Sequence, residues 1–89
     1  MISERDKKTI QKISKKYHVR RVLLFGSGAS AETESRDIDI AVEGVPTEQF
    51  YDFYGELMLA VSKPIDVIDL SGTSMFVEMI QQEGIVLYG

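Results

Sequence analysis

The chain has 89 residues, 44% of them hydrophobic and 27% charged, with a net charge of −4. That length allows one domain with a single core and no large enclosed pocket. The absence of cysteine removes disulfides, thiol chemistry and cysteine-ligated zinc, and a single histidine excludes a histidine-rich metal site.

The charge is unevenly spread. Residues 1–21 hold eight basic and two acidic side chains; the remainder holds two basic and twelve acidic. A basic stretch of this kind is either a solvated helix face or a contact surface for an acidic partner or RNA. The acidic remainder speaks against a general nucleic-acid binder. No apolar run approaches the ~18 residues of a membrane span. The start MISERDKKTIQK has no apolar core of a secretory signal, so a cytoplasmic location is expected.

The first expected element is a helix. Ser3 is placed to cap it, with Asp6 three residues on, a near match to a capping box. Ile10, Ile13 and Tyr17 recur at helical spacing, with lysines on the other side. The helix should end near His18, where a surface or capping role is expected. Val22 to Phe25 then reads as a short buried strand, ending in Gly26-Ser27. A turn of this kind offers backbone N–H groups and a hydroxyl to a phosphate. Residues 28–36 are small and polar and read as a loop, with Glu32 and Glu34 solvated.

The second strand, Ile38 to Glu43, is introduced by the most informative pattern in the chain. Asp37 and Asp39 alternate with Ile38 and Ile40. Strand geometry repeats every two residues, so both carboxylates share one face, with Cα atoms ~6.6 Å apart. Carboxylates so spaced can share a pair of divalent ions ~3.5–4 Å apart. Gly44-Val45-Pro46 closes the strand, and Thr47 is expected to cap a long helix. Phe50, Phe53, Tyr54, Leu57, Met58 and Val61 would form its inward face. Pro64 opens a third strand, PIDVIDL, with Asp66 in its middle. A lone carboxylate among Ile65, Val67 and Ile68 is costly to bury unless paired or bound to metal, and a third metal ligand fits that position. Asp69 falls on the other strand face and reads as a cap or solvated group. Ser71 to Thr73 turn into a last helix with Phe76, Met79 and Ile80 inward and Gly84 as its closing glycine. A final strand runs from Ile85 to Tyr88.

Taken together, residues 1–89 are expected to form a single α/β (α+β) domain, a small mixed sheet with helices packed on it. The order strand, Gly26-Ser27, nine residues, Asp37-Ile38-Asp39-Ile40, then a later strand with Asp66, resembles the minimal nucleotidyltransferases of the polymerase-beta-like superfamily, of the kind paired as antitoxin with a HEPN toxin. The ending IQQEGIVLYG is similar too. Two positions depart from the pattern: Ser30 follows Ala29 where many relatives carry arginine nearby, and Arg36 precedes the first aspartate in place of serine.

The resemblance implies a Mg²⁺-dependent nucleotidyltransferase. Asp37, Asp39 and Asp66 would be the catalytic metal ligands of two ions. Gly26 and Ser27 would hold the phosphates of ATP. It also implies a HEPN-type RNase toxin as partner, with AMP passed to one of its tyrosines. A second reading is a catalytically weak binding module that neutralises its partner by contact alone. Transfer to a small molecule is a third, disfavoured because no substrate domain is present.

Overall fold

The computed structural model describes residues 2–25, 37–71 and 75–89, apart from the Phe76 side chain. Helix α1 (Glu4–Lys16) leads into strand β1 (Arg21–Phe25). Strand β2 (Ile38–Glu43), helix α2 (Thr47–Ala60) and strand β3 (Ile65–Asp69) follow. Helix α3 (Met75–Glu83) and strand β4 (Ile85–Tyr88) complete the chain. No helix is long and apolar enough to cross a membrane among the described residues.

Ser3 caps α1 as its sequence suggests: its Oγ accepts the Asp6 N–H at 3.1 Å. The Asp6 carboxylate has a different job from the capping box. It accepts the N–H of Ser62 at 3.0 Å and the Ser62 hydroxyl at 2.6 Å. The start of α1 is thereby tied to the turn after α2. At the other end, His18 takes a left-handed conformation with φ 57°. Its N–H reaches the Lys15 carbonyl, and the Val19 N–H reaches Ser14. These two bonds are those of a Schellman cap, with histidine where glycine is usual.

The sheet order is β3-β2-β1-β4. β1 pairs antiparallel with both β2 and β4, whereas β2 and β3 are parallel. A parallel pair needs a crossover, and α2 supplies it. Alternation sorts the strand side chains onto two faces. Val22, Leu24, Ile40, Val42, Val67 and Leu87 pack with Ile10 and Ile13 of α1 and Phe53 and Leu57 of α2. Leu23, Ala41 and Leu70 pack with Ile80 of α3 on the other face. The expected mixed sheet with helices is therefore present.

Several local expectations are corrected. Pro46, not Thr47, is the N-cap of α2, and no side chain caps it. The Pro46 carbonyl instead accepts the Gln49 N–H. Met58 does not join the core: it is exposed, as is Met79, because the buried stripes of their helices are narrower than the apolar pattern. Gly84 is not a left-handed cap, since its φ is not positive. It is required by close approach, because a Cβ there would lie 2.6 Å from the Ile80 carbonyl oxygen and 3.1 Å from Leu23 Cβ.

Burial pushes the Asp6 carboxyl up, but the Ser62 and Ser3 hydrogen bonds and Arg5 outweigh it, so it titrates below the ordinary 3.8. The folded chain then holds fewer protons than the unfolded one in acid. The stability this group contributes is complete above the ordinary value and is lost as pH falls through the depressed one. We expect Asp6→Ala to cost about 1–3 kcal/mol at pH 7, the range for orphaning a buried hydrogen-bonding group. The deficit should shrink in acid. Chemical denaturation at pH 7 and pH 3 measures both; equal deficits at the two pH values would remove the charged Asp6 from this role.

Candidate active site

The register of β2 and β3 builds the site. Asp39 is the Cα partner of Asp66, flanked by the pairs Ile38 with Ile65 and Ile40 with Val67. Partners on neighbouring strands sit about 4.8 Å apart and point to the same face. Two hydrogen bonds hold this register from both ends: Ile38 N–H to the Pro64 carbonyl and Leu70 N–H to the Val42 carbonyl, each 2.8 Å. The isoleucines and Val67 turn into the main core. The two aspartates consequently take the other face of the sheet.

Asp37 sits one residue ahead of β2 and is exposed, Asp39 is half-buried and Asp66 is exposed. Asp66 is therefore not the buried carboxylate its apolar neighbours suggest. β3 is an edge strand, so the end of its outer face is open to solvent. Burial pushes the Asp39 carboxyl above its ordinary value, and the negative charges of Asp66 and then Asp37 push it further. The three groups thus act on one another electrostatically. Among the described residues their side chains do not converge around a single ion position. The set is nevertheless all hard oxygen, the donor chemistry that suits Mg²⁺, and a cation would relieve the repulsion at Asp39.

Gly26 and Ser27 lie outside the described residues, as do Ala29, Ser30, Glu32, Glu34 and Arg36. Their point of attachment is described: Phe25, the last residue of β1, is the Cα partner of Asp39. The chain therefore leaves β1 for Gly26 at the sheet end that carries the aspartates.

Tyr54 is a neighbour that periodicity assigned to the core. Its ring is half-buried on α2, but its hydroxyl donates to the Ile65 carbonyl at 3.1 Å and lies 3.4 Å from Asp66 Oδ1. The available signal was a tyrosine in a core-facing register, since a buried tyrosine hydroxyl seeks a partner. Asp69 is confirmed as a local cap: its carboxylate accepts the Ser71 N–H and hydroxyl, each at 3.0 Å.

The raised Asp39 carboxyl binds more protons in the folded chain than in the unfolded one. Its ionised form is thus a burden at neutral pH that is relieved as pH falls through the raised value. We expect Asp39→Asn to raise the melting temperature of the metal-free protein at pH 7. The gain over wild type should fade below pH 4. A lower melting temperature at pH 7 would mean that the ionised carboxylate holds structural bonds.

Comparison with known proteins follows the same lines as the geometry. No curated protein matches the chain. Among solved structures, a toxin–antitoxin complex with AMP-PNP contains a chain similar to this one with a TM-score of 0.74 at 23% identity. The match covers 93% of this chain and 73% of that one. The MntA–HepT toxin–antitoxin complex gives 0.71 at 22% identity over 98% of this chain and 73% of the other. The tri-AMPylated HEPN toxin of Shewanella oneidensis in complex with its MNT antitoxin gives 0.70 at 23% identity, over 94% and 70%. At these identities the likeness establishes a shared fold. The polymerase beta nucleotidyltransferase family matches residues 7–89, nearly the whole sequence, and the chain belongs to that family.

Proposed function

We propose that this protein is the antitoxin of a toxin–antitoxin pair, and that it transfers AMP from ATP to a tyrosine of a HEPN-type RNase toxin with the help of Mg²⁺. The observation that carries the reading is Asp39 in register with Asp66, at the sheet end from which the chain departs toward Gly26 and Ser27. Family membership supports nucleotidyl transfer. The similar complexes, one with AMP-PNP and one with a tri-AMPylated HEPN toxin, support the donor and the class of acceptor.

In this reading Asp37, Asp39 and Asp66 would be the residues that hold Mg²⁺, as an all-oxygen donor set. Bound Mg²⁺ supplies charge neutralisation and in-line alignment of the attacking and departing oxygens. The tyrosine oxygen bonds to the α-phosphorus, and the bond from that phosphorus to the bridging oxygen breaks, so pyrophosphate leaves. Asp66, which is exposed to solvent, would take the phenolic proton. Tyr54 limits where Asp66 can swing, through its hydroxyl 3.4 Å from Oδ1. The backbone at Gly26 and the Ser27 hydroxyl cradle the outgoing phosphates. Positioning and electrostatics then carry the catalysis. The basic helix presents Lys8, Lys12 and Lys15 to solvent, an available contact for an acidic stretch of the partner.

Co-expression with the HEPN-type partner, followed by intact-mass spectrometry of that partner, tests the reading. We expect one or more added AMP masses with wild type and none with Asp37→Asn/Asp39→Asn. A partner that stays unmodified yet is neutralised equally by wild type and by the double variant would replace transfer with inhibition by contact.

A further inference from the structure

Helix α2 is apolar on two opposite sides, and the fold uses only one. Phe53 and Leu57 are fully buried against the sheet. By the 3.6-residue period, Tyr51, Gly55, Met58 and Leu59 line the other side. These side chains face solvent: Leu59 is 91% exposed, Tyr51 83% and Met58 60%. A surface helix ordinarily shows one apolar stripe, turned to the core; α2 carries a second one outside it.

Gly55 sharpens the point. A glycine inside a helix is destabilising relative to alanine. Among the described residues a Cβ here would meet nothing within 4 Å, so their packing gives no reason for its absence. A reason appears if another backbone must come close at that spot, as small residues allow between helices.

We propose that the chain pairs with a second copy of itself through α2, antiparallel, with the twofold axis at Gly55. The stripe is close to symmetric about that glycine, with Tyr51 one turn before it and Leu59 one turn after. A twofold interface needs such self-complementarity. In the pair, Tyr51 of each copy lies over Met58 and Leu59 of the other. There it meets a groove of about 320 Å³ lined by Met58, Val61, Ser62, Lys63, Pro64 and Ile65. Tyr51 and Met58 lie toward the same flank of the stripe, and the twofold keeps them there, so each tyrosine enters the groove of the other copy. A central aromatic seated in a pocket is the usual energetic anchor of an interface.

Charge selects the direction. The acids of α2 are Glu48, Asp52 and Glu56, and the helix has no lysine or arginine. Glu56 is turned toward Lys16 and Tyr17 of α1, but Glu48 and Asp52 flank the stripe, and a parallel pair would set each against its own copy. The antiparallel pair separates them and brings Glu48 of one copy toward Lys63 of the other. The interface is a few helical turns long, below the standard size for tight complexes. The dimer is accordingly a weak one that forms at high concentration. It abuts the edge strand that carries Asp66, because Ile65 lines the groove.

Sedimentation equilibrium of the full chain from about 10 to about 500 µM measures the pairing. We expect a reversible monomer–dimer equilibrium. Tyr51→Ser and Gly55→Leu should each weaken it at least about tenfold, with circular dichroism and melting temperature showing the fold retained. Because the chain has no cysteine, Gly55→Cys reports the axis directly. Mild oxidation should link it into a covalent dimer, whereas Gln82→Cys on α3 should stay unlinked. A wild type that remains monomeric throughout, with both cysteine variants unlinked, overturns the proposal. So does a dimer indifferent to Tyr51→Ser and Gly55→Leu. If the wild type is monomeric and these two variants instead abolish binding of the HEPN-type partner, the stripe belongs to that partner and the proposal also fails.

Discussion

The in-register parallel pairing of β2 with β3 is the constraint on which the rest depends. A strand alternates its faces, so a slip of one residue would turn Asp39 into the main core and expel Ile38 and Ile40. The register is therefore held by hydrophobic burial, which fixes the aspartates indirectly. Val67 and the flanking isoleucines bury one face, and the carboxylates inherit the other. The hydrogen bonds at Pro64 and Leu70 close the pair at either end. Because β3 is an edge strand, Asp66 reaches solvent while Asp39, one strand in, is half-buried. That partial burial, with the charges of Asp66 and Asp37 nearby, pushes the Asp39 carboxyl above its ordinary value.

α2 connects several of these features. As the crossover it sets where β3 begins relative to β2. Phe53 and Leu57 anchor it to the sheet, and Phe53 meets Tyr17 of α1 edge-on with ring centroids 5.5 Å apart. Glu56, from the same helix, accepts the Tyr17 hydroxyl at 3.0 Å and pairs with Lys16. Lys16 is largely exposed, so that ion pair adds little beyond orientation. The Asp6–Ser62 bonds clamp the end of the helix to the start of α1. Tyr54 carries the restraint to Ile65 and Asp66. Packing on one sheet face thus positions chemistry on the other.

Much of this was legible before the structure. The strands 38–43 and 85–88 follow from alternation and from glycine and proline punctuation. The helices follow from their apolar period. The shared face of Asp37 and Asp39 is a direct consequence of strand geometry. Sequence alone does not disclose exposure, which depends on strand order: Asp66 reads as buried until β3 proves to be an edge. It does not separate the two apolar sides of α2, so Met58 reads as core. Asp6 fits a local capping pattern, and only the tertiary fold reveals that Ser62 claims its carboxylate. Gly84 likewise reads as a cap, whereas its smallness is needed by the Ile80 carbonyl and Leu23.

The central claim is that Asp39 and Asp66 operate as one ligand pair because the sheet sets them side by side. A double-mutant cycle in calorimetric titration of ATP with Mg²⁺ tests it most directly, using wild type, Asp39→Asn, Asp66→Asn and the double variant. Groups that act as a unit are not additive. Each single substitution should weaken Mg²⁺-dependent binding nearly as much as both together, with binding in the absence of Mg²⁺ little changed. Losses that simply add, or affinities equal in all four proteins, would contradict the claim.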